Sequence, residues 1–380
     1  MLRNTYAAVN TKTLCENVKN IVSEYGEYKY FFGVIKGNAY GHGFEIIDSL
    51  INGGVNYLAV ATPEEALSVR KINADIPVLC LEPVSDEGIK ALADANITLA
   101  VCDLEGAEKV ASLNAAVKVH LKLDTGMNRL GFKDKAELGS AYRILKAAKN
   151  VTVEGIFTHL ATSGINDVYY DRQMARFLHL TEDINLSDIP IVHVGRSLIL
   201  VHHKKPDFVN GVRLGICMYG FAQSINEPTG LRKIKRNLKL KRLSISPAVL
   251  KNDLKLKTAL VFKSEVIAVK KIKKGEFAGY GATFIAKSDL TAATVSAGYF
   301  DGIPKNIKSV YINGSLCPVI GEICMDMITC IVPDTTKTGD AVEIFGEHIS
   351  IASAARDAGT NAYKLLTGIG PRVTRIYEKE

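Results

Sequence analysis

Lys36 stands out among the chemically capable residues because it ends an apolar run and precedes small and polar residues. The stretch Phe31–Gly43 reads FFGVIKGNAYGHG. A lysine in apolar surroundings has a lowered pKa, and its neutral amine is a nucleophile toward an aldehyde. A strand that leaves the core with its lysine reaching water is the alternative. The first interpretation predicts covalent capture of a carbonyl compound.

Cations, imidazoles and hydroxyls also follow later apolar runs, at Asp124–Arg129, His159, His193–Ser197 and Arg213–Tyr219. Together with one amine, and beside several glycines, they suit a ligand that is anionic and carries a carbonyl group. A phosphorylated aldehyde fits this description, and pyridoxal phosphate is the common one. The inference rests on the whole set of residues and not on any one of them.

Eight short, β-branched apolar runs alternate with segments whose apolar spacing suits amphipathic helices. The runs are Tyr28–Lys36, Asn56–Ala61, Pro77–Glu82, Ile97–Asp103, Lys118–Asp124, Glu154–Ala161, Ile191–Ser197 and Val212–Gly220. Eight strand–helix units predict a (β/α)8 barrel of the TIM type, whose active site lies at the carboxyl ends of the strands. A doubly wound open sheet is the alternative, because counting strands does not prove closure.

The pattern changes after about Ser244, where apolar runs follow one another closely with Gly, Asn and Asp between them. This pattern predicts a mostly β domain that ends with a helix around Ile351–Ala358 and a strand at Arg372–Tyr377. We therefore expect a barrel over residues 11–243 and a second domain over 244–380, which also takes the strand at 1–10.

Composition indicates a globular protein. The 380 residues are 47% hydrophobic and 23% charged, and no apolar run is long enough for a membrane helix. The first ten residues lack the features of a signal peptide, so we expect a cytoplasmic location. Seven scattered cysteines without CxxC spacing favour reduced thiols and no metal site. The basic stretch Arg232–Arg242 has no interleaved aromatic residues, so neither nucleic acid nor membrane is an expected partner.

Seven segments occur in the order typical of one enzyme family. They read VIKGNAYGHG, HLKLDTGMNRLGF, EGIFTHLATS, GVRLGICMYG, GYGATF, GYFDGIPK and GEICMDMITC. The chain resembles alanine racemase along about Phe32–Tyr377, across both predicted domains. The resemblance implies a pyridoxal-phosphate enzyme that interconverts L- and D-alanine, a small-molecule amino-acid substrate, and a supply of D-alanine for peptidoglycan.

The resemblance assigns Lys36 as the lysine that bonds to pyridoxal phosphate and then acts as acid and base on one face of the substrate. Arg213 would face the pyridine nitrogen. Since a guanidinium keeps its proton near neutral pH, that nitrogen would stay largely unprotonated, which disfavours transamination. The other implied cofactor contacts are Tyr40, His159, His193, Ser197, Gly215, Ile216 and Tyr363.

Racemisation calls for two acid–base groups on opposite faces of the substrate. The resemblance implies that Tyr280 is the second group and that it comes from the C-terminal domain of a partner subunit. Met325 would meet the substrate from the same domain, while Tyr299 and Asp326 would lie at the entrance. These assignments imply a head-to-tail homodimer with shared active sites.

Two further residues are assigned on strand five and the loop after it. Arg129 would steady the substrate carboxylate. Lys122 would be carbamylated, which would give Arg129 an anionic partner, and the alternative is an unmodified strand lysine.

Three features depart from the family pattern. Arg196 stands where asparagine is common, Gly37 replaces the usual alanine, and the connection between the domains around Ser224–Leu256 is long and basic. Serine racemases and broad-specificity amino-acid racemases share this architecture. A homeostasis protein that binds pyridoxal phosphate without catalysis would end near the barrel, and a barrel-type decarboxylase would place a carboxylate where Arg213 stands.

Overall fold

The fold is given by a computed structural model. It describes residues 2–162, 167–197, 200, 203–221, 230–231, 234–235, 238 and 254–379. The chain forms two compact units. Leu14–Ala39 and Phe44–Leu256 form one, the barrel unit, while Met1–Thr13, Tyr40–Gly43 and Lys257–Glu380 form the other, the C-terminal unit. The predicted boundary at residues 243–244, and most of the basic connection around 232–257, lie outside the described residues.

The first strand, β1 (Tyr6–Asn10), belongs to the C-terminal unit, and the next eight strands form the barrel unit. They are β2 (Tyr30–Val34), β3 (Tyr57–Val60), β4 (Val78–Cys80), β5 (Thr98–Val101), β6 (Val117–Leu123), β7 (Val151–Thr158), β8 (Ile191–Arg196) and β9 (Gly211–Leu214). Neighbouring strands pair in parallel, and β9 pairs with β2 to close the barrel. Closure confirms the (β/α)8 prediction and rules out the open sheet.

Helices alternate with the strands of the barrel unit at Thr11–Glu24, Ile47–Gly53, Pro63–Ile72, Asp86–Asp94, Leu104–Ser112, Lys135–Ala147 and Asp167–Leu180. Local sequence explains where they begin. The Thr62 side chain accepts from the Glu65 N–H, and the Glu65 carboxylate accepts from the Thr62 N–H. This capping box, with Pro63 at the first helical position, starts the helix Pro63–Ile72.

The barrel strands are buried on both faces, which explains why they read as continuous apolar runs instead of alternating ones. All four residues of β3 and of β5 are buried. Polar residues nevertheless lie in this core, and among them His120, His193 and Arg213 are almost entirely shielded from solvent. Buried polar groups require partners, so these three direct attention to the barrel interior.

The C-terminal unit is mostly β, as the sequence predicts. Its further strands are β10 (Leu260–Ile272), β11 (Phe277–Ala278), β12 (Phe284–Ile285), β13 (Leu290–Val295), β14 (Ser309–Ile312), β15 (Ser315–Pro318), β16 (Ile328–Ile331), β17 (Ala341–Phe345) and β18 (Thr374–Glu378). The main sheet runs β15-β14-β17-β10-β1-β18, and β13 joins β10 to β16. Strand β1 pairs antiparallel with β10 and parallel with β18.

Two helices lie near the end of the chain. The helix Ile351–Asp357 agrees with the predicted one. The sequence analysis did not predict the second, Ala362–Thr367, although Asn361 gives a local signal, because its side chain accepts from the Lys364 N–H as an N-cap.

The described part of the chain contains no helix both long and apolar enough to cross a bilayer. Each of the seven cysteines is a free thiol, and five of them are buried. Within the same described residues, no three His, Cys, Asp or Glu side chains are grouped so that they could hold a metal ion.

Candidate active site

The chain leaves strand β2 through a left-handed turn that begins just after Lys36. Gly37, Asn38 and Ala39 have φ values of 64°, 52° and 52°. Residues other than glycine and asparagine rarely adopt this conformation, so the surrounding structure must hold it. The Gly37 N–H donates to Glu65 Oε1 at 2.6 Å, which ties the turn to the neighbouring helix.

Lys36 is exposed at the start of this turn. The expectation of apolar surroundings for Lys36 is therefore wrong, because the buried run ends one residue earlier, at Ile35. Lys36 still lies where the sequence analysis places it, after the first barrel strand and at the carboxyl end of that strand.

Arg213 lies on β9, directly paired with Phe32 of β2. Its guanidinium donates to His193 Nδ1 at 2.7 Å and to the Thr158 carbonyl at 2.6 Å, and it lies 3.4 Å from His159 Nδ1. Burial, with a smaller contribution from Arg129, lowers the pKa of Arg213 to about 9. The side chain therefore remains a cation at neutral pH.

His193 supports Arg213 from within the core. It has no exposed surface, and its ring is stacked between Phe32 and Phe157 at centroid distances of 4.4 and 4.7 Å. Burial and the nearby Arg213 charge hold the pKa of His193 well below its usual range, so the ring is neutral. The fully buried ring thus contacts Arg213 instead of opening to the mouth of the barrel.

Lys122 is a second buried cation. Its ammonium lies 4.6 Å from the centre of the Phe157 ring. Burial, followed by repulsion from Arg213 and Arg129, lowers the pKa of Lys122 to about 8. The mutual repulsion places three cations in one region, and such a region favours an anionic ligand.

Arg129 lies on the loop after β6, and Asp124 organises that loop. The Asp124 carboxylate accepts from the N–H groups of Gly126, Asn128 and Arg129 at 3.0, 2.9 and 3.1 Å. These bonds shape the backbone, while the Arg129 side chain stays exposed. The loop therefore presents a guanidinium to solvent on the strand that carries Lys122.

Ser197 and the turn after β9 offer hydrogen-bond donors for a phosphate. The Gly215 N–H donates to Ser197 Oγ at 2.9 Å, and the hydroxyl of the buried Ser197 is also hydrogen-bonded to the Cys217 thiol. The next residue, Ile216, is also buried. The side chain of Arg196 lies outside the described residues.

The barrel unit thus collects an amine, two guanidinium groups, an imidazole, a hydroxyl and a glycine turn at the carboxyl ends of its strands. This donor set fits pyridoxal phosphate, because the amine can bond to an aldehyde and the cations and hydroxyl can bind a phosphate. Lys36, Arg213, His159, Ser197 and Gly215 are the residues of this unit that fit those tasks.

Two predicted cofactor contacts lie together in the C-terminal unit. The rings of Tyr40 and Tyr363 are 5.9 Å apart at an interplanar angle of 50°. Gly41, with φ of 82°, follows Tyr40, and any Cβ there would overlap the backbone carbonyl of Leu366. Only glycine permits this close approach, which brings Tyr40 beside the helix that carries Tyr363.

A cluster of loops in the C-terminal unit carries the residues predicted for the partner's site. The Tyr299 and Phe300 N–H groups donate to the Cys324 and Met325 carbonyls at 3.0 Å each, and this pairs the segments that contain Tyr299 and Met325. Asp326 forms an ion pair with Arg372 at 2.6 Å. Tyr280 follows Gly279, whose backbone packs against Gly321.

The exposed apolar side chains of this loop cluster include Tyr280 and Met325, which are 66% and 50% exposed. The family resemblance implies a partner-facing role for both residues.

The sequence analysis missed a polar network inside the barrel. His120 on β6 lies 2.9 Å from His193 and 3.3 Å from Glu154 on β7, and the Tyr57 hydroxyl donates to Glu154 at 2.7 Å. A histidine and a glutamate inside apolar strand runs were the available signal. Their pairing could not be predicted, because the network joins side chains from four different strands.

Comparisons with known proteins cover both units. Residues 9–223 match the family model of the alanine racemase N-terminal domain, and residues 259–377 match that of the C-terminal domain. The alanine racemase of Geobacillus kaustophilus is 33% identical over 99% of this chain and 94% of its own length.

Solved structures are similar as well. The alanine racemase of Enterococcus faecalis has a TM-score of 0.87 and 29% identity, covering 100% of this chain and 99% of its own. The histidine racemase of Leuconostoc mesenteroides subsp. sake has a TM-score of 0.86 and 26% identity, covering 99% and 98%. Because both domains match in order along the full length, the chain belongs to the alanine racemase family of pyridoxal-phosphate-dependent isomerases.

Proposed function

We propose that the protein interconverts L- and D-alanine through two acid–base groups, Lys36 and Tyr280. The environment of Arg213 is the main observation that supports the proposal. This buried guanidinium has imidazole and carbonyl acceptors, and among the described residues no carboxylate pairs with it. An arginine facing the pyridine nitrogen would keep that nitrogen unprotonated, which favours return of the proton to Cα over transamination.

Pyridoxal phosphate, when bound, would supply an electron sink that acidifies the substrate Cα–H. Lys36 would hold the cofactor covalently, and Arg213 and His159 would orient its ring. Tyr40, Ser197, Tyr363 and the backbone at Gly215 and Ile216 would bind its phosphate. His193 would act on the cofactor indirectly, through its contact with Arg213.

Inversion at Cα requires that a proton leave one face of the substrate and return to the other. Lys36 would hold or move the proton on one face through Nζ. Tyr280 would do so on the opposite face through its phenolic oxygen. Arg129 would bind the substrate carboxylate and fix Cα between the two groups.

Tyr280 would come from a second copy of the chain, in a head-to-tail homodimer. The exposure of Tyr280 and Met325 on the C-terminal unit supports this arrangement, because a residue that completes a partner's site must lie at the surface of its own subunit. Tyr299 and Asp326 would line the entrance to each shared site. We place the enzyme in the cytoplasm, supplying D-alanine for peptidoglycan.

Lys122 would carry a carbamate. The neutral amine adds to CO2 to give N-carboxylysine and one released proton, so a pKa near 8 favours the reaction relative to an ordinary lysine. The resulting anion would relieve the repulsion among Lys122, Arg129 and Arg213, and would hold Arg129 in place for the substrate.

Alanine is the proposed substrate, and serine or a broader set of amino acids is the second candidate. Tyr363 beside Tyr40 supports alanine, because an aromatic ring there would limit the room for a side chain larger than methyl. The similarity to a histidine racemase keeps the second candidate open. A non-catalytic cofactor-binding protein is the third and least supported.

Solvent deuterium incorporation at Cα tests the proposal. Protein with pyridoxal phosphate is incubated in D2O separately with L-alanine, D-alanine, L-serine and L-histidine. We expect exchange with inversion from both alanine enantiomers and slower exchange from the other two. Equal rates with serine or histidine would overturn alanine as the preferred substrate and leave the racemase reaction intact.

Tyr280→Phe assigns the faces in the same experiment. The variant lacks only the phenolic hydroxyl, so cofactor loading, followed by absorbance, should remain as in the unmodified protein. We expect exchange to fall by about 10²- to 10⁴-fold for one enantiomer, the usual contribution of a positioned acid or base. An unchanged rate for both enantiomers would show that Tyr280 is not the second acid–base group.

A further inference from the structure

Four side chains form one hydrogen-bonded file through the barrel interior, which we call the imidazole chain: Glu154, His120, His193 and Arg213. The file begins with Glu154 Oε2 and His120 Nε2 at 3.3 Å. It continues from His120 Nδ1 to His193 Nε2 at 2.9 Å, and from His193 Nδ1 to Arg213 at 2.7 Å. Both histidines have no exposed surface.

The direction of every bond in the imidazole chain follows from the guanidinium. A guanidinium only donates, so Nδ1 of His193 must accept, and a neutral His193 then carries its proton on Nε2. That N–H donates to Nδ1 of His120, which in turn must carry its own proton on Nε2. The last N–H points at Glu154, so all three hydrogen bonds run in one sense.

The charges agree with this direction. Burial lowers the pKa of His120, as it does that of His193, so both rings are neutral. Burial opposes ionisation of Glu154, but hydrogen bonds from His120, Tyr57 and Lys118 outweigh it and lower the pKa of Glu154 to about 2. The imidazole chain therefore consists of two neutral rings between the Glu154 carboxylate at one end and the Arg213 guanidinium at the other.

We propose that Glu154 is a positioning residue that acts on Arg213 through the two imidazoles. By accepting the His120 N–H, the carboxylate turns a His193 lone pair toward Arg213 and so fixes the orientation of the guanidinium. The effect of Glu154 on the cofactor ring rests on the proposed function, whereas the tautomers of His120 and His193 do not depend on it.

The imidazole chain also determines how far the Glu154 negative charge lies from Arg213. A carboxylate in direct contact with Arg213 would neutralise its charge, whereas His193 offers a neutral acceptor and leaves the counter-charge two rings away. If both rings took the other tautomer, the Nδ1–H of His193 would face an N–H of Arg213, and two donors would oppose each other. Arg213 would then turn away from His193.

Nitrogen NMR of the histidine side chains tests the imidazole chain. The full-length protein is labelled with ¹⁵N-histidine and measured with and without pyridoxal phosphate. We expect both His120 and His193 as neutral Nε2–H tautomers in either sample, assigned by the signals lost in His120→Asn. An Nδ1–H tautomer or an imidazolium at either position would overturn the proposal. The cofactor-free sample keeps this outcome independent of the proposed function.

Glu154→Gln and Tyr57→Phe form the matched pair. Each variant removes one partner of a hydrogen bond at Glu154 Oε2, because the Tyr57 hydroxyl donates to that oxygen at 2.7 Å. Only Glu154→Gln removes the negative charge. In Glu154→Gln we expect the His120 Nε2–H proton to shift upfield and exchange faster with solvent. Racemisation kcat/KM should fall about tenfold, and the share of transamination should rise, because a neutral acceptor bonds more weakly.

In Tyr57→Phe we expect unchanged histidine tautomers and a loss of kcat/KM below about twofold, since the charge and the chain remain. Glu154→Asp keeps the charge and should reverse part of the upfield shift seen in Glu154→Gln. If Glu154→Gln and Tyr57→Phe changed the His120 proton and the share of transamination equally, Glu154 would have only a structural role.

Lys118→Gln provides a test that does not disturb the core. Lys118 binds the other Glu154 oxygen at 3.0 Å from a side chain that is 45% exposed. Without this competing cation the carboxylate should attract the His120 N–H more strongly and shift its proton downfield, opposite to Glu154→Gln. An unmoved His120 proton in Lys118→Gln would overturn the electrostatic link, even if Glu154→Gln fails to fold.

Discussion

At the scale of single residues, the site is marked by buried cations that form no ion pair with a carboxylate among the described residues. Arg213 bonds to His193 and to backbone carbonyls, and Lys122 packs on the Phe157 ring. Holding cations in this way costs free energy unless an anion arrives to compensate them. The arrangement therefore favours binding of an anionic ligand.

Lys122 gives a prediction with a defined pH dependence. Because its pKa is lowered to about 8, it is mostly an ammonium below pH 8 and mostly a free amine above it. Only the amine adds to CO2, so at a fixed concentration of dissolved CO2 the carbamate fraction should rise as the pH passes through about 8. The measurement is ¹³C NMR of protein equilibrated with ¹³CO2.

Lys122→Arg is the matched control for the carbamate. It keeps a cation on β6 but cannot form an N-carboxylysine, while the N-terminal amine reacts equally in both proteins. The difference between the two spectra should therefore contain one carbamate resonance, that of Lys122. Identical ¹³C spectra for the two proteins would show that Lys122 is not carbamylated.

At the scale of elements, the left-handed turn after β2 begins directly after Lys36. Asn38 and Ala39 hold φ values that L-residues avoid, and Gly37 before them and Gly41 after them also have positive φ. The sequence shows two glycines and an asparagine there, which indicates a turn. The hand and length of the turn depend on tertiary contacts, such as the bond from Gly37 to Glu65.

Asn38 allows the cost of this turn to be measured. Its side chain is exposed, so substitution changes mainly the backbone preference. We expect Asn38→Ala to be less stable than Asn38→Gly by about 0.5–1 kcal/mol, since glycine adopts positive φ without a Cβ penalty. Urea unfolding of the two variants measures the difference, and equal stabilities would contradict a left-handed conformation at residue 38.

At the scale of the whole molecule, the proposed enzyme places its two acid–base groups in different units of the fold. Lys36 belongs to the barrel unit and Tyr280 to the C-terminal unit. The exposure of Tyr280 suits a residue that completes the site of another subunit. An assembly that shares its sites in this way can be tested by combining two inactive variants.

Mixed dimers of Lys36→Ala and Tyr280→Phe provide this test. In each mixed dimer one site has both defects and the other has neither. Random pairing of equal amounts makes half of the dimers mixed, so the preparation should recover about one quarter of the unmodified activity. Co-expression with two different affinity tags, followed by a racemisation assay, gives the value.

One outcome would contradict the shared site. Sites built within one subunit would give no recovery, because every subunit carries one defect. The same measurement on each variant alone supplies the background. Purification through both tags isolates the mixed dimers, whose activity should be about half that of the unmodified dimer.

The amino-acid sequence by itself determined the sequence of elements and the family. Strand-length apolar runs such as Thr98–Val101 are local patterns, because a buried parallel strand must be apolar on both faces. The residues at the ends of these runs, from Lys36 to Arg213, follow from the same patterns. The helix Ala362–Thr367 was missed because its signal, one N-cap asparagine, is weak without its packing partners.

Only the tertiary structure decided what depends on strands meeting in register. Closure of the barrel follows from the pairing of β9 with β2, and strand counting alone left it open. His120, Glu154 and His193 are each unremarkable in sequence, and they become one directed chain to Arg213 only because β6 to β9 are neighbours. Such contacts join residues far apart along the chain, so no local sequence pattern encodes them. They are determined by the side-chain packing of several strands at once.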